Sequence, residues 1–230
     1  MNYGLILAGG KGSRFGAEKN KDLLPLGGKP ILFYSIKAFE SAGIFDKIVI
    51  VSGENERDQV EEILKTMNIE NYEIVTGGIE RQDSVINGLN AMLQDKDSDN
   101  EGIVLIHDSA RPLVSVEEIL SVFEAVKINK AATLGTPVKD TIKRGDSQDF
   151  VIETLDRNQL WQISTPQGFE IKLLKRAYES AKKEGFHGTD DCMLVERIGE
   201  SVKLIKGSYK NIKITTFEDL KIAEVFLDSK

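Results

Sequence analysis

A single cysteine, Cys192, two histidines, His107 and His187, and one tryptophan, Trp161, leave this 230-residue chain without the means for several common chemistries. One thiol excludes an intrachain disulfide, and two imidazoles beside it give a structural zinc site no adequate ligand set. Long apolar runs are missing too. The N-terminal one, Tyr3-Gly4-Leu5-Ile6-Leu7-Ala8, is broken by glycine at Gly9, well short of a membrane span or a signal h-region, so the expected compartment is the cytoplasm, with no membrane partner. Positive charge is in deficit: 30 Lys and Arg against 37 Asp and Glu give a formal net charge of −7. That argues against a nucleic-acid partner and requires any anion site to gather its cations locally.

What is present is enough for a substantial core: 40% hydrophobic and 29% charged residues, with no long linker or repeat, predict one α/β domain over 1–230. Apolar, β-rich runs recur at 3–8, 47–52, 72–75, 102–107 and 131–136, separated by segments of helical period. This alternation is the pattern of a mostly parallel sheet with helices on both faces. After Pro30, a favoured first helical residue, Leu32, Ile36, Phe39 and Gly43 share one face. Val60, Ile63, Leu64 and Met67 repeat the stripe, as do Ile119, Val122, Phe123 and Val126, and all three stripes read as core. Over about 138–158 the alternation gives way to Val138, Ile142, Phe150, Ile152 and Leu155 around a polar Gly145-Asp146-Ser147-Gln148-Asp149 turn. That is a two-stranded arm, marginal by itself, and a second subunit is the economical thing for it to pack on.

The first strand runs into Gly9-Gly10-Lys11-Gly12-Ser13-Arg14, with Lys21 seven residues further on. Glycines here let the backbone turn sharply and present N–H groups to anionic oxygens, and Arg14 and Lys21 add charge. The loop lacks the third glycine of a dinucleotide fingerprint, and Gly28-Lys29 is followed by Pro30, which excludes a P-loop. Arg81, Arg111, Lys143, Arg157 and Lys213 also stand in Gly-, Pro-, Thr- or Asp-rich stretches away from helix faces. In open parallel sheets ligands sit beyond the carboxyl ends of the strands, where these stretches fall.

Read in order, the stretches resemble the cytidylyltransferase family that makes 4-diphosphocytidyl-2-C-methyl-D-erythritol in the non-mevalonate isoprenoid route. The matching pieces are Leu7-Ala8-Gly9-Gly10-x-Gly12-x-Arg14-Phe15-Gly16, Gly77-Gly78-x-x-Arg81-x-Asp83-Ser84-Val85, His107-Asp108-x-Ala110-Arg111-Pro112 and Pro137-Val138-x-Asp140-Thr141-Ile142-Lys143. Further on come Thr154-x-Asp156-Arg157, Thr165-Pro166-Gln167-x-Phe169, Thr189-Asp190-Asp191 and Asn211-Ile212-Lys213-Ile214-Thr215. The resemblance implies a Rossmann-like nucleotidyltransferase fold with a dimerising β-arm, CTP and 2-C-methyl-D-erythritol 4-phosphate as substrates, Mg²⁺ carried mainly by the CTP phosphates, and a homodimer. It also implies roles. Arg14, Lys21 and Lys213 hold the reacting phosphates, and Gly10 and Gly12 belong with the nucleotide loop. Ala8, Gly9, Gly78, Ile79 and Ser84 surround the cytosine. Asp108, Arg111 and Thr141 take the sugar-alcohol hydroxyls, and its phosphate meets Thr165, Lys213 and the neighbouring subunit's Arg157. No protein metal ligand is implied.

The same chemistry in ribitol-5-phosphate cytidylyltransferase is the nearest alternative, and a catalytically silent nucleotide-binding subunit is another; Ser109-Ala110-Arg111-Pro112 favours the erythritol enzyme over the ribitol one. Thr189-Asp190 reads as a helix N-cap, His107 as a packed residue and Cys192 as a small buried one. The chain departs from the family's usual Pro-Lys-Gln with Asn20-Lys21-Asp22, which implies a looser loop and a negative charge beside a phosphate-binding lysine. Ala8-Gly9-Gly10 replaces Ala-Ala-Gly, and Ile79 stands where an acid is frequent.

Overall fold

The computed structural model describes residues 1–9, 20–94 and 101–228. Strand β1 (Tyr3–Ala8) is followed by a two-residue-stranded hairpin, β2 (Pro25–Leu26) and β3 (Lys29–Pro30), and by helix α1 (Ile31–Ser41). Then come β4 (Lys47–Ser52), α2 (Arg57–Thr66), β5 (Tyr72–Thr76), α3 (Arg81–Gln94), β6 (Ile103–Asp108), α4 (Val116–Asn129) and β7 (Ala131–Pro137). The chain continues with β8 (Lys143–Gly145), β9 (Val151–Thr154), β10 (Trp161–Glu170), α5 (Ile171–Glu184), α6 (Asp191–Arg197), β11 (Lys203–Lys206) and α7 (Phe217–Asp228). All five expected strands form within a residue of their expected ends. Pro30 closes β3 and caps α1 instead of opening it, because its carbonyl side is still extended (ψ 146°).

The main sheet has the order β11-β7-β10-β6-β1-β4-β5. β1, β4, β5 and β6 are parallel, β11 runs parallel to β7, and β10 runs antiparallel between β6 and β7. Successive side chains of a strand face opposite ways, and the core divides accordingly. Ile6, Ile48, Ile50 and Leu105 meet α1, α2 and α4 through Leu32, Ile36, Phe39, Val60, Leu64, Val122 and Val126. Leu5, Val49, Val51, Val104 and Ile106 meet α3 and α5 through Val85, Leu89, Met92, Leu174 and Tyr178. Burying each such aliphatic side chain is worth roughly 1.5–3 kcal/mol before chain entropy is counted. A smaller cluster of Leu26, Ile31, Leu113, Ile214 and Ala223 fastens α7 and the preceding segment to the hairpin.

From β1 the chain moves outward through β4 and β5, then returns to place β6 on the other side of β1. Adjacent crossovers therefore leave in opposite directions at β1 and β6, and the crevice beyond their carboxyl ends is the place such a sheet offers a ligand. β8 and β9 form their own antiparallel pair, with every residue of both exposed. Among the described residues no helix is long and apolar enough to cross a membrane.

Candidate active site

A cavity of about 300 Å³ opens at that switch point. Its walls come from the ends of β1 and β6, the turn at Lys21 and Asp22, the Gly78–Arg81 approach to α3, and Lys213. Of the residues singled out in the sequence, Gly9, Lys21, Gly78, Ile79, Ser84, Asp108 and Lys213 all line it. Gly10, Gly12 and Arg14 lie outside the described residues. Thr141 and Arg157 sit on the exposed arm, away from the cavity lining. The Arg157 Nη1 donates to the Lys139 carbonyl at 2.9 Å.

One side of the cavity is built by backbone. A Cβ at Gly78 would come within 2.2 Å of the Asp83 Cβ, so the turn into α3 admits no side chain there. Ser84 braces the same turn: its hydroxyl accepts from the Gly78 N–H (3.1 Å) and donates to the Glu80 carbonyl (3.2 Å). Ile79 projects into solvent at 92% exposure on the rim. A Cβ at Gly9 would lie in ordinary contact with the backbone of Val51–Gly53 at the end of β4, no nearer than 3.8 Å among the described residues. Ala8 is buried just behind, and its carbonyl accepts from Asn20 Nδ2 at 2.8 Å. Asn20 also accepts from the Asp22 N–H through Oδ1 (3.0 Å). The asparagine thus ties this end of the turn directly to β1, while residues 10–19, on which the expectation of a looser loop falls, lie outside the described residues.

Charge is concentrated on the opposite wall. Asp108, the last residue of β6, faces Lys213 Nζ at 2.7 Å and Arg81 Nε at 3.5 Å. Burial alone would raise its pKa, but Lys213, Arg81 and Arg111 outweigh burial and hold the carboxyl well below the usual range. Arg81 continues to Asp191, with Nη2 to Oδ2 at 2.7 Å, and Asp191 accepts the Tyr178 hydroxyl at 2.5 Å. These three residues were not assigned to the site from sequence; Arg81 stood among the marked cations, and Asp191 closed the Thr189-Asp190-Asp191 stretch, of which Thr189-Asp190 read as a helix cap. Asp190 is that cap, accepting from the Met193 N–H at 2.9 Å.

Behind Asp108 the polar groups interlock. Thr165 is buried, and its Oγ1 accepts from the Asp108 N–H at 3.1 Å. The same hydroxyl donates to His107 Nδ1 at 3.0 Å, while His107 Nε2–H donates to the Arg111 carbonyl at 3.1 Å. Burial pushes the imidazole down to about 4, so it is neutral at pH 7 and both its nitrogens are occupied. The segment bearing Lys213 is tethered along its length. Glu118 of α4 accepts the Ser208 N–H (2.6 Å), Asn211 Nδ2 donates to the Thr165 carbonyl (2.9 Å), and the Ile214 N–H donates to the Ala110 carbonyl (2.8 Å). Arg111 Nη1 points into this segment and donates to the Asn211 carbonyl at 3.0 Å. Lys21 Nζ donates to the Ile214 carbonyl at 3.3 Å, bringing it to the side of the cavity where Lys213 stands.

Residues 3–229 match the family model described as IspD, 2-C-methyl-D-erythritol 4-phosphate cytidylyltransferase. The chain is 48% identical over 225 residues to the 2-C-methyl-D-erythritol 4-phosphate cytidylyltransferase of Caldanaerobacter subterraneus subsp. tengcongensis, covering 97% of each chain. It is 44% identical over 232 residues to the protein of that name in Halalkalibacterium halodurans, covering 100% of this chain and 99% of the other. Its backbone resembles the crystal structure of 4-diphosphocytidyl-2C-methyl-D-erythritol synthase from Anaerococcus prevotii with a TM-score of 0.86 at 33% identity, over 99% of this chain and 98% of that one. The chain belongs to the 2-C-methyl-D-erythritol 4-phosphate cytidylyltransferase family.

Proposed function

We propose that the chain transfers CMP from CTP to 2-C-methyl-D-erythritol 4-phosphate through the cavity between β1, β6 and Lys213. The observation that carries this reading is the convergence of Lys21, Arg81 and Lys213 on one cavity, beside an ionised Asp108, in a chain of net charge −7. A phosphate oxygen of the acceptor attacks the α-phosphorus of CTP. The bond from that phosphorus to the bridging oxygen breaks, and its electron pair leaves with pyrophosphate. The attacking oxygen is already ionised, so no base is required, in keeping with a His107 that is buried and occupied at both nitrogens.

The difficulty is electrostatic, since both reactants are polyanions. At ~4 Å and an effective dielectric of ~20, one cation offsets about 4 kcal/mol of repulsion. Lys21 and Lys213 are assigned to the α-phosphate from two sides, and Arg14 to the leaving pyrophosphate. The Asp108–Lys213 pair offers an acceptor and a cation side by side, suited to a molecule with hydroxyls at one end and phosphate at the other. Arg111 and Thr165 support that pair, and Ala8, Gly9, Gly78, Ile79 and Ser84 form the base-binding side, with Gly10 and Gly12 in the adjoining loop.

Among the described residues no three His, Cys, Asp or Glu side chains gather as a metal site, and Asp108 faces two cations. This donor set fits a divalent cation that arrives on the nucleotide phosphates and is held by them. Bound there, Mg²⁺ neutralises charge on the leaving pyrophosphate. The exposed arm, with Phe150, Val151 and Ile152 at 68%, 63% and 56% exposure, supports a homodimer in which Thr141 and Arg157 complete the partner's acceptor site. Incubation with CTP, Mg²⁺ and either 2-C-methyl-D-erythritol 4-phosphate or ribitol 5-phosphate tests the reading. The erythritol substrate is expected to give the cytidyl diphosphate product with the higher kcat/KM; a preference for ribitol 5-phosphate would overturn the acceptor assignment.

A further inference from the structure

We propose that Asp22 is a nucleotide-binding residue that takes up one proton from solvent as the CTP triphosphate enters, and then donates its carboxylic O–H to a phosphate oxygen. The proposal rests on the reading of this cavity as the CTP site. Asp22 is 2% exposed and lines the cavity next to Lys21. Its Oδ1 is buried with no hydrogen-bond partner, as is the hydroxyl of nearby Ser109. A structural carboxylate in an interior normally accepts several donors, because an unpaired buried oxygen is costly. Asp22 lacks that arrangement: its own N–H is bonded to Asn20 Oδ1, and Lys213 is turned to Asp108.

The charged groups around it set the direction of the effect. Facing Asp22 are Lys21 on its own turn, Asp108 from β6 and Lys213 from the C-terminal segment, with Glu80 and Arg81 also on the cavity wall. The buried face of α1, which packs on this turn, is Ile31, Leu32, Ser35, Ile36 and Phe39 and brings no ionisable side chain. Burial raises the Asp22 carboxyl to about 6, and neither the pull of Lys21 nor the Ser109 hydroxyl beside it, too loosely placed for a full hydrogen bond, restores it. Phosphate groups arriving at Lys21 and Lys213 cancel the two cations that favour its ionised form and add negative charge of their own. Both changes raise its affinity for a proton, so binding and protonation are linked. Once protonated, the acid changes from a repelling charge into an O–H donor to an ionised oxygen, the stronger class of hydrogen bond.

Calorimetric titration of CTP with Mg²⁺ into the full chain, at pH 7 in two buffers of different ionisation enthalpy, measures the protons exchanged. Wild type is expected to take up about half to one proton more than Asp22→Asn, since the amide cannot titrate. Relative to that variant, wild-type CTP affinity is expected to weaken several-fold between pH 6 and pH 8. Asp22→Ser provides a second variant, and circular dichroism checks that each is folded. Equal proton counts and parallel pH profiles, with all proteins binding CTP, would overturn the role of Asp22. So would a wild-type affinity that strengthens with pH only when Mg²⁺ is present, which would make ionised Asp22 a partner of the cation. Failure of wild type and variants alike to bind CTP would instead overturn the nucleotide reading itself.

Discussion

Arg81 joins two carboxylates, with Nη2 2.7 Å from Asp191 Oδ2 and Nε 3.5 Å from Asp108 Oδ1, so a fully buried acid of α6 sets the position of a cation on the wall of the candidate active-site cavity. Removing one member of a buried pair leaves the other uncompensated. Asp191→Asn is therefore expected to cost about 3 kcal/mol in urea denaturation, and Tyr178→Phe about 1–2 kcal/mol. If the Asp191 variant is as stable as wild type, Arg81 is not anchored in this way.

The tethers on residues 208–214 make a second expectation. Asn211→Ala leaves the Thr165 carbonyl without its buried donor and lets the Lys213 segment drift. A displacement of the order of 1 Å at a phosphate-binding cation costs about tenfold or more in rate, so kcat is expected to fall while CTP still binds. A variant with unchanged kcat at saturating substrates would mean that the other tethers suffice.

Stability should depend on pH through two buried groups with opposite signs. His107 is held at about 4, below its ordinary 6.5, so the unfolded chain binds the proton more readily. Its contribution is present above pH 6.5 and is lost as pH falls toward 4. Its imidazole resonances are accordingly expected to stay in the neutral form down to about pH 5 in an NMR titration; protonation near 6.5 would contradict the buried neutral tautomer. Asp22 is raised from 3.8 to about 6, so its contribution is complete below 3.8 and is lost as pH rises through 6. Asp22→Asn should thus gain on wild type across that window, by about 2 kcal/mol between pH 4 and pH 7. A stability difference that is the same at both pH values would rule this out.

The arm permits a complementation test. In the proposed two-fold dimer Arg157→Ala and Lys21→Ala fall in different composite sites, so mixed chains should recover one working site and about half the wild-type activity per heterodimer. No recovery despite demonstrated subunit exchange would mean that Arg157 acts within its own chain or not at all.

Much of the framework was legible because it is periodic: β1, β4, β5, β6 and β7 are short, largely apolar runs, and the stripes of α1, α2 and α4 repeat at helical spacing. Strand β10 was not, since Gln162, Ser164, Thr165 and Gln167 give it no apolar run. Its buried polar residues are satisfied across the fold, Gln167 bonding Asp190 at 2.8 Å and the Asp191 N–H at 3.1 Å. In the site, Asp108 and Lys213 stand in marked motifs and meet as a pair. The anchoring of Arg81 by Asp191 and the burial of Asp22 depend on residues more than eighty positions apart, or on what covers a single turn, and no local pattern reports either.

The central claim is that fixed cations carry the transfer. Single-turnover pyrophosphate release at saturating CTP, Mg²⁺ and 2-C-methyl-D-erythritol 4-phosphate tests it most directly, comparing wild type with Lys21→Ala and Lys213→Ala. Loss of one preorganised charge-stabilising group is expected to slow the chemical step by ~10²-fold or more in each folded variant. Near-wild-type release by both would contradict the account.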